Sequence, residues 1–168
     1  MAHNWKSIPP ETIKENVFRS IGEDWMLITA GSIDRWNTMT ASWGGLGVLW
    51  NLKVSFCFVR PTRHTYDFME RSDRYTLSFY EESWRDALDF CGTQSGRDVD
   101  KAAETGLMPT EIEGGVAFEQ ARLVLVCRKL YQSDIDPGRF VDPSIDSNYP
   151  AKDYHRLYIG EVIHCLSK

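Results

Sequence analysis

Hydroxyl, amide and guanidinium groups gather in three short stretches of this sequence, and each could form an anion site. The first runs Asn37-Thr38-Met39-Thr40-Ala41-Ser42-Trp43-Gly44-Gly45. In an extended strand, side chains alternate, so Thr38, Thr40 and Ser42 share one face, and Asn37, Met39, Ala41 and Trp43 the other. A row of hydroxyls can hold phosphate or ring carbonyl oxygens, helped by main-chain N–H groups freed where the strand would end at Gly44. A sheet with one solvated Thr/Ser face has the same pattern. The second stretch is Arg60-Pro61-Thr62-Arg63-His64-Thr65. Arginine offers a planar fork of donors that suits phosphate, and a helix beginning here would add unpaired N–H groups and a favourable dipole. An exposed turn with solvated arginines would look alike. The third is Cys91-Gly92-Thr93-Gln94-Ser95-Gly96-Arg97-Asp98-Val99-Asp100-Lys101. Gly and Ser permit close backbone approach there, Arg97 and Lys101 add charge, and Asp98 is placed to cap a helix. An ordinary loop can carry the same residues.

Other chemistries find little footing. His155 stands alone, and a lone histidine is more often packed or solvated than catalytic. The sequence has no Ser/His/Asp set, no HExxH and no P-loop. No GxGxxG follows a strand, so a redox reading needs another phosphate-binding device. The four cysteines (Cys57, Cys91, Cys127, Cys165) are scattered without metal-ligand spacing, so no metal site is expected. Trp36, Trp43 and Trp50 could stack on a planar ring, although aromatic residues in strands are usually core.

The elements that must position these groups are mostly strands. Runs at residues 25–30, 36–43, 54–59, 75–80, 118–131 and 157–163 are rich in β-branched and aromatic residues. Val54, Phe56 and Phe58 alternate with Ser55, Cys57 and Val59, which predicts an apolar face made by the first three. Tyr75, Leu77 and Phe79 share a side in the same way. Trp84, Ala87, Leu88 and Cys91 make one helical stripe, Thr65, Phe68, Met69 and Ser72 a shorter one, and a third helix is expected from Asp98 to Gly106. Residues 134–153 hold three prolines, several aspartates and no periodicity, which predicts a long irregular loop. Six or so strands with short helices between them suggest a closed barrel with helical decorations.

Composition narrows the function classes. A chain of 168 residues fits one domain, with residues 1–22 as an N-terminal extension. A net charge of -5 argues against a broad nucleic-acid or membrane surface, so any anion site must be a local basic cluster. The polar start has no signal-peptide core, and no apolar run approaches the roughly 20 residues a spanning helix needs. Unpaired, apolar-flanked cysteines fit a reducing compartment, so a cytoplasmic protein is expected.

Taken together, the segments resemble the flavin reductase-like proteins, and most closely the flavoredoxin-like branch. The resemblance rests on four motifs in order: Trp36 to Trp43, Arg60 to Thr65, Ser95 to Lys101, and His155-Arg156-Leu157-Tyr158-Ile159-Gly160-Glu161-Val162. It implies a mainly β fold, the FMN-binding split barrel of Greek-key type, and a homodimer with one FMN per subunit near the interface. It implies that Thr40, Ala41, Ser42 and Trp43 contact the isoalloxazine and ribityl chain, with Asn37, Thr38 and Met39 beside them. Arg60, Arg63 and Thr65 would take the phosphate, and Ser95, Gly96, Arg97 and Lys101 would line the same site. His155 would lie near the flavin or nicotinamide as a candidate catalytic group. NADH or NADPH would donate electrons, and free flavin or an electron-acceptor protein would receive them; an electron carrier unreactive with nicotinamide is the alternative. One departure is Glu119-Gln120-Ala121, where many members have a cysteine after the glutamate; this puts a thiol role there in doubt.

Overall fold

The computed structural model describes residues 4–168, and a single curled antiparallel sheet dominates it. After β1 (Lys6–Ser7) and α1 (Val17–Gly22) come β2 (Met26–Ser32), β3 (Arg35–Ala41), β4 (Gly44–Leu49) and β5 (Leu52–Val59). Then follow α2 (His64–Arg71), β6 (Arg74–Phe79), α3 (Arg85–Thr93) and α4 (Lys101–Thr105). A hairpin of β7 (Pro109–Ile112) and β8 (Gly115–Phe118) precedes the long strands β9 (Leu123–Asp134) and β10 (Arg156–Ser167). The spatial order is β3-β2-β6-β9-β10-β5-β4, with β1 paired to the end of β10. The two ends of that path, β3 and β4, are consecutive in the chain and joined only by Ser42 and Trp43. The sheet therefore curls until its edges approach. A Cβ placed on Gly44 would lie 3.1 Å from Met26 Cε across the seam. This is a mainly β split barrel with a few short inserted helices, as expected.

Strand alternation divides the apolar residues between two layers. Inside the barrel lie Met26 and Ile28 of β2, Met39 and Ala41 of β3, Tyr75, Leu77 and Phe79 of β6, and Leu125 and Cys127 of β9. Outside, Leu27, Val124 and Val126 pack under Ala87, Leu88 and Cys91 of α3 and Ala117 and Phe118 of the hairpin. On β5 the expected polarity is reversed. Cys57 and Val59 face the barrel with Ser55, whose Oγ lies 2.8 Å from Tyr75 OH, while Phe56 and Phe58 face outward and are only half-buried. Paired hydroxyls and small side chains suit the interior because a Tyr ring already fills it. A Cβ on Gly160 would fall 2.3 Å from that Tyr75 oxygen.

Other expectations shift. Gly44 does not end a strand but begins β4, which pairs with β5 through the turn at Trp50 and Asn51. Both turn residues have positive φ, 53° and 59°, the geometry of a tight hairpin. The third helix starts at Lys101, because Asp100, not Asp98, accepts from the Ala102 and Ala103 N–H groups; Gly106 ends it in the left-handed region. Helix α1, capped by Asn16, was not foreseen. Of the N-terminal segment 1–22, residues 1–3 lie outside the described residues, and the remainder is mostly exposed but anchored at points: Ser20 and Ile21 are buried, and so is Trp5, whose Nε1 donates to Ala121 O. Residues 134–153 are irregular as expected, apart from the end of β9 and two 3-10 turns, Pro137–Arg139 and Pro143–Asn148. All four cysteines are free and buried. Among the described residues, no helix is long and apolar enough to cross a membrane, and no cluster of His, Cys, Asp or Glu could hold a metal ion.

Candidate functional site

Two cavities meet beside the barrel seam. The first, about 200 Å³, is lined by Met39, Thr40, Ala41, Ser42, Trp43, Phe58, Arg60, Arg63 and His155. It exists because β3 breaks from the sheet after Ala41 and the last residues of β5 run past the break. Three aromatic rings form one wall: Trp43, 46% exposed, has its ring centroid 5.1 Å from that of His155, and Phe58 meets His155 edge-on at 6.3 Å. An exposed tryptophan at the mouth of a polar-floored cavity can cover the face of a planar ring.

The second cavity, about 150 Å³, shares Met39 and Arg63 with the first and is lined mainly by polar groups, among them Asn37, His64, Thr65, Ser95, Gly96 and Lys101. Pro61 and the turn after it set the start of α2 here, and no side chain caps that start. The first N–H groups of a helix lack internal acceptors and attract anions. Thr65 is fully buried, and its Oγ1 accepts from Asn37 Nδ2 at 2.8 Å, which leaves the hydroxyl proton to donate. His64 Nδ1 is sealed from solvent without a hydrogen bond; Asp67 Oδ2 is 3.5 Å away. Arg63 Nη1 donates to Gly92 O at 2.8 Å, and burial together with the nearby Arg60 charge pulls its pKa down. Lys101, 4% exposed, donates from Nζ to Thr38 O at 2.8 Å and Cys91 O at 2.7 Å. Burial, aided by Arg63, brings its pKa down to about 8. Gly96 leaves room for Asn37: a Cβ there would meet Asn37 Oδ1 at 1.9 Å and push that side chain aside.

The structure redistributes several sequence-derived roles. Ser42 and Arg63 share a cavity, as a common ligand requires. The row of hydroxyls does not work as a row. Thr38 is fully buried, its Oγ1 2.8 Å from Thr29 Oγ1 and donating to Ile28 O, and it lines neither cavity. Thr40 spends its hydroxyl on Leu88 O. Thr40 still lines the first cavity although its hydroxyl is taken by α3, whereas Thr38 is enclosed against β2. Arg97 lies outside both cavities, bound to Asp67 at 3.1 Å and to Thr62 O. Trp36 packs on Phe118, and Trp50 sits at the exposed hairpin tip near Tyr131.

Sequence reading missed Tyr149. Residues 134–153 fold over Arg60, whose Nη1 donates to Asp153 Oδ1 at 2.8 Å and whose Nη2 donates to Asn148 O at 2.9 Å. The guanidinium also lies 4.9 Å from the centre of the Tyr149 ring. Tyr149 OH lies 2.8 Å from His155 Nδ1. Burial, with the Arg60 charge, brings the His155 pKa down to about 4 against the pull of Asp153, so the ring is neutral at pH 7. The aromatic run Phe140, Tyr149, Tyr154 and His155 was the available signal, but spacing across an irregular loop gives no period to read.

These residues fit a flavin mononucleotide. A cavity with one aromatic wall adjoins, across Met39 and Arg63, a polar one that has unmade hydrogen bonds, a helix N-terminus, an arginine and a glycine. At about 200 and 150 Å³, the two together lie at the lower end of the ~300–1,000 Å³ typical of ligand sites. A family model described as "Flavin reductase like domain" matches residues 18–168. No curated protein matches the sequence. Among solved structures, flavoredoxin from Methanosarcina acetivorans is 19% identical, with 86% of this chain and 68% of that chain covered and a TM-score of 0.67. The FMN-binding domain of a flavin reductases-like enzyme from Shewanella baltica OS155 is 18% identical over 99% of this chain and 78% of that one, with a TM-score of 0.70. The styrene monooxygenase flavin reductase from Pseudomonas putida S12 gives 14% identity, 86% and 79% coverage, and a TM-score of 0.63. At these identities the likeness is one of fold.

Proposed function

The chain belongs to the flavin reductase-like family, and from that premise we propose that it is an FMN-dependent oxidoreductase of one domain. It takes hydride from NADH or NADPH and passes electrons to free flavin or to an acceptor protein. The observation that carries this reading is that Met39 and Arg63 line both of two adjacent cavities, one bounded by Trp43, Phe58 and His155 and the other by polar side chains. Arg63, the α2 N-terminus, Thr65 and Ser95 would hold the phosphate, while Ala41, Ser42 and Trp43 would bound the ring. When bound, the flavin would supply the hydride-accepting chemistry. The protein's part is to orient the ring, exclude water with Trp43 and Phe58, and present His155 as a neutral group. Arg60 is already held by Asp153 and Asn148, so its contribution to phosphate binding is secondary to that of Arg63.

A homodimer is part of the proposal. Trp50 and Tyr131 are 54% and 48% exposed, and with half-buried Phe56, which lies in the same cross-strand row as Tyr131, they give the outside of the barrel an apolar surface of the kind that second copies cover. Four unpaired thiols suit a cytoplasmic setting. The test is an absorption spectrum of the purified protein with FMN, followed by anaerobic mixing with NADH and NADPH. A flavin spectrum that bleaches supports the enzyme. Flavin that binds but stays oxidised supports an electron carrier, the reading favoured by the flavoredoxin likeness. Colourless protein that ignores added FMN refutes both.

A further inference from the structure

The long loop does more than cover Arg60. We infer that Tyr149 is a positioning residue that fixes the tautomer of His155, so that its Nε2–H is offered to a carbonyl-type acceptor in the aromatic cavity. This rests on the flavin-site reading and deepens it. The acceptor would be a ring carbonyl of the bound flavin or the carboxamide of the incoming nicotinamide; the two share the same chemistry.

Both side chains are buried, Tyr149 at 3% and His155 at 8% exposure. Their polar atoms meet at 2.8 Å between Tyr149 OH and His155 Nδ1. A neutral imidazole carries one N–H, and the nitrogen that bears it is decided by what the other nitrogen accepts. Among the described residues, the phenol proton has no acceptor besides Nδ1. Tyr149 must therefore donate to Nδ1, which places the ring proton on Nε2. That nitrogen has no protein partner and is not sealed among the buried unpaired atoms, and His155 lines the cavity beside Trp43. The phenol cannot easily swing away. Phe140 stacks on its ring at 6.3 Å and 16°, Tyr154 leans on it at 4.8 Å, and Arg60 caps it. Tyr154 OH donates to Asp146 Oδ1 at 2.6 Å, and Lys152 pairs with the same carboxylate. The loop thus behaves as a brace for one hydrogen bond.

The experiment is a long-range proton–nitrogen correlation spectrum of the labelled full chain without flavin, with His155→Asn used to assign the signals. Wild-type protein should show a pyridine-type Nδ1 and a pyrrole-type Nε2 at His155. Tyr149→Phe, which keeps the ring and its packing, should convert this to a mixture of tautomers. If the acceptor is the nicotinamide carboxamide, the variant should bind FMN as wild type does yet be reduced about tenfold more slowly, the lower end of what losing the partner of a metal-bound histidine costs; if it is a flavin carbonyl, FMN binding itself should weaken. A wild-type proton on Nδ1, or an unchanged spectrum in Tyr149→Phe, overturns the inference. Since the spectrum needs no flavin, failure of the dyad and failure of the flavin reading are seen separately.

Discussion

Lys101 permits a quantitative forecast. Its ammonium is enclosed between β3 and α3, with two carbonyls as partners and Arg63 nearby. A neutral amine has two N–H groups, enough for Thr38 O and Cys91 O, so losing the third proton sacrifices neither bond. The pKa falls from the ordinary 10.5 to about 8. At 1.36 kcal/mol per tenfold, holding the charge at neutral pH costs the folded state ~3 kcal/mol. The sign follows from proton counts. Between about pH 8 and 10.5 the unfolded chain binds more protons than the folded one, so stability rises with pH, and below 8 the penalty is fully present. From pH 7 to 9.5 the gain from this group should be ~2 kcal/mol. Urea unfolding of wild type and Lys101→Met at both pH values isolates it, because the cysteines and tyrosines titrating in that range are common to both chains. Methionine leaves two carbonyls unpaired, so the variant is weaker throughout; only its pH slope matters. Equal slopes, within about 0.5 kcal/mol, would refute the reasoning. A phosphate dianion in the polar cavity favours the ammonium, so FMN binding at pH 9 should take up protons, measurable by calorimetry in buffers of different ionisation enthalpy.

Arg63→Ala should weaken FMN binding by about 10- to 100-fold, the loss of a charge-assisted hydrogen bond. Arg60→Ala should weaken it by less than about threefold, since Asp153 already holds that guanidinium; fluorescence titration separates the two. Gly96→Ala should displace Asn37, break its bond to Thr65 and cost ~1–3 kcal/mol in denaturant unfolding. Gly160→Ala presses a methyl group against the rigid Tyr75 ring and should lower stability by ~1–3 kcal/mol. Thermal unfolding of a chain this size would register that as roughly 2–4 °C per kcal/mol, and an unshifted midpoint would show that the barrel repacks freely.

The sequence made strand identity legible where one face alone was apolar, as in β6, whose Tyr75, Leu77 and Phe79 all point inward. It misled on β5. Three bulky residues outweighed Ser55, Cys57 and Val59, although Tyr75 already occupies the barrel and leaves space only for small partners. Strand β4 escaped notice because three of its six residues are glycine, and its pairing depends on neighbours rather than propensity. At the site, Arg63, Thr65 and Lys101 were legible from residue type near a helix start. Thr38, which lines neither cavity, was misread, because alternation tells which residues share a face but not what covers that face. Arg97 has the chemistry of a ligand residue but faces Asp67.

The seam between β3 and β4 has a mechanical consequence. Strands β9 and β10 pair along twelve residues each and form the stiff spine, whereas β3 and β4 each have a single ladder neighbour. The molecule is thus most compliant where the two cavities lie. Adaptation to ring or sugar can come from flexing Ser42 and Trp43, with no ladder bond broken and the spine undisturbed.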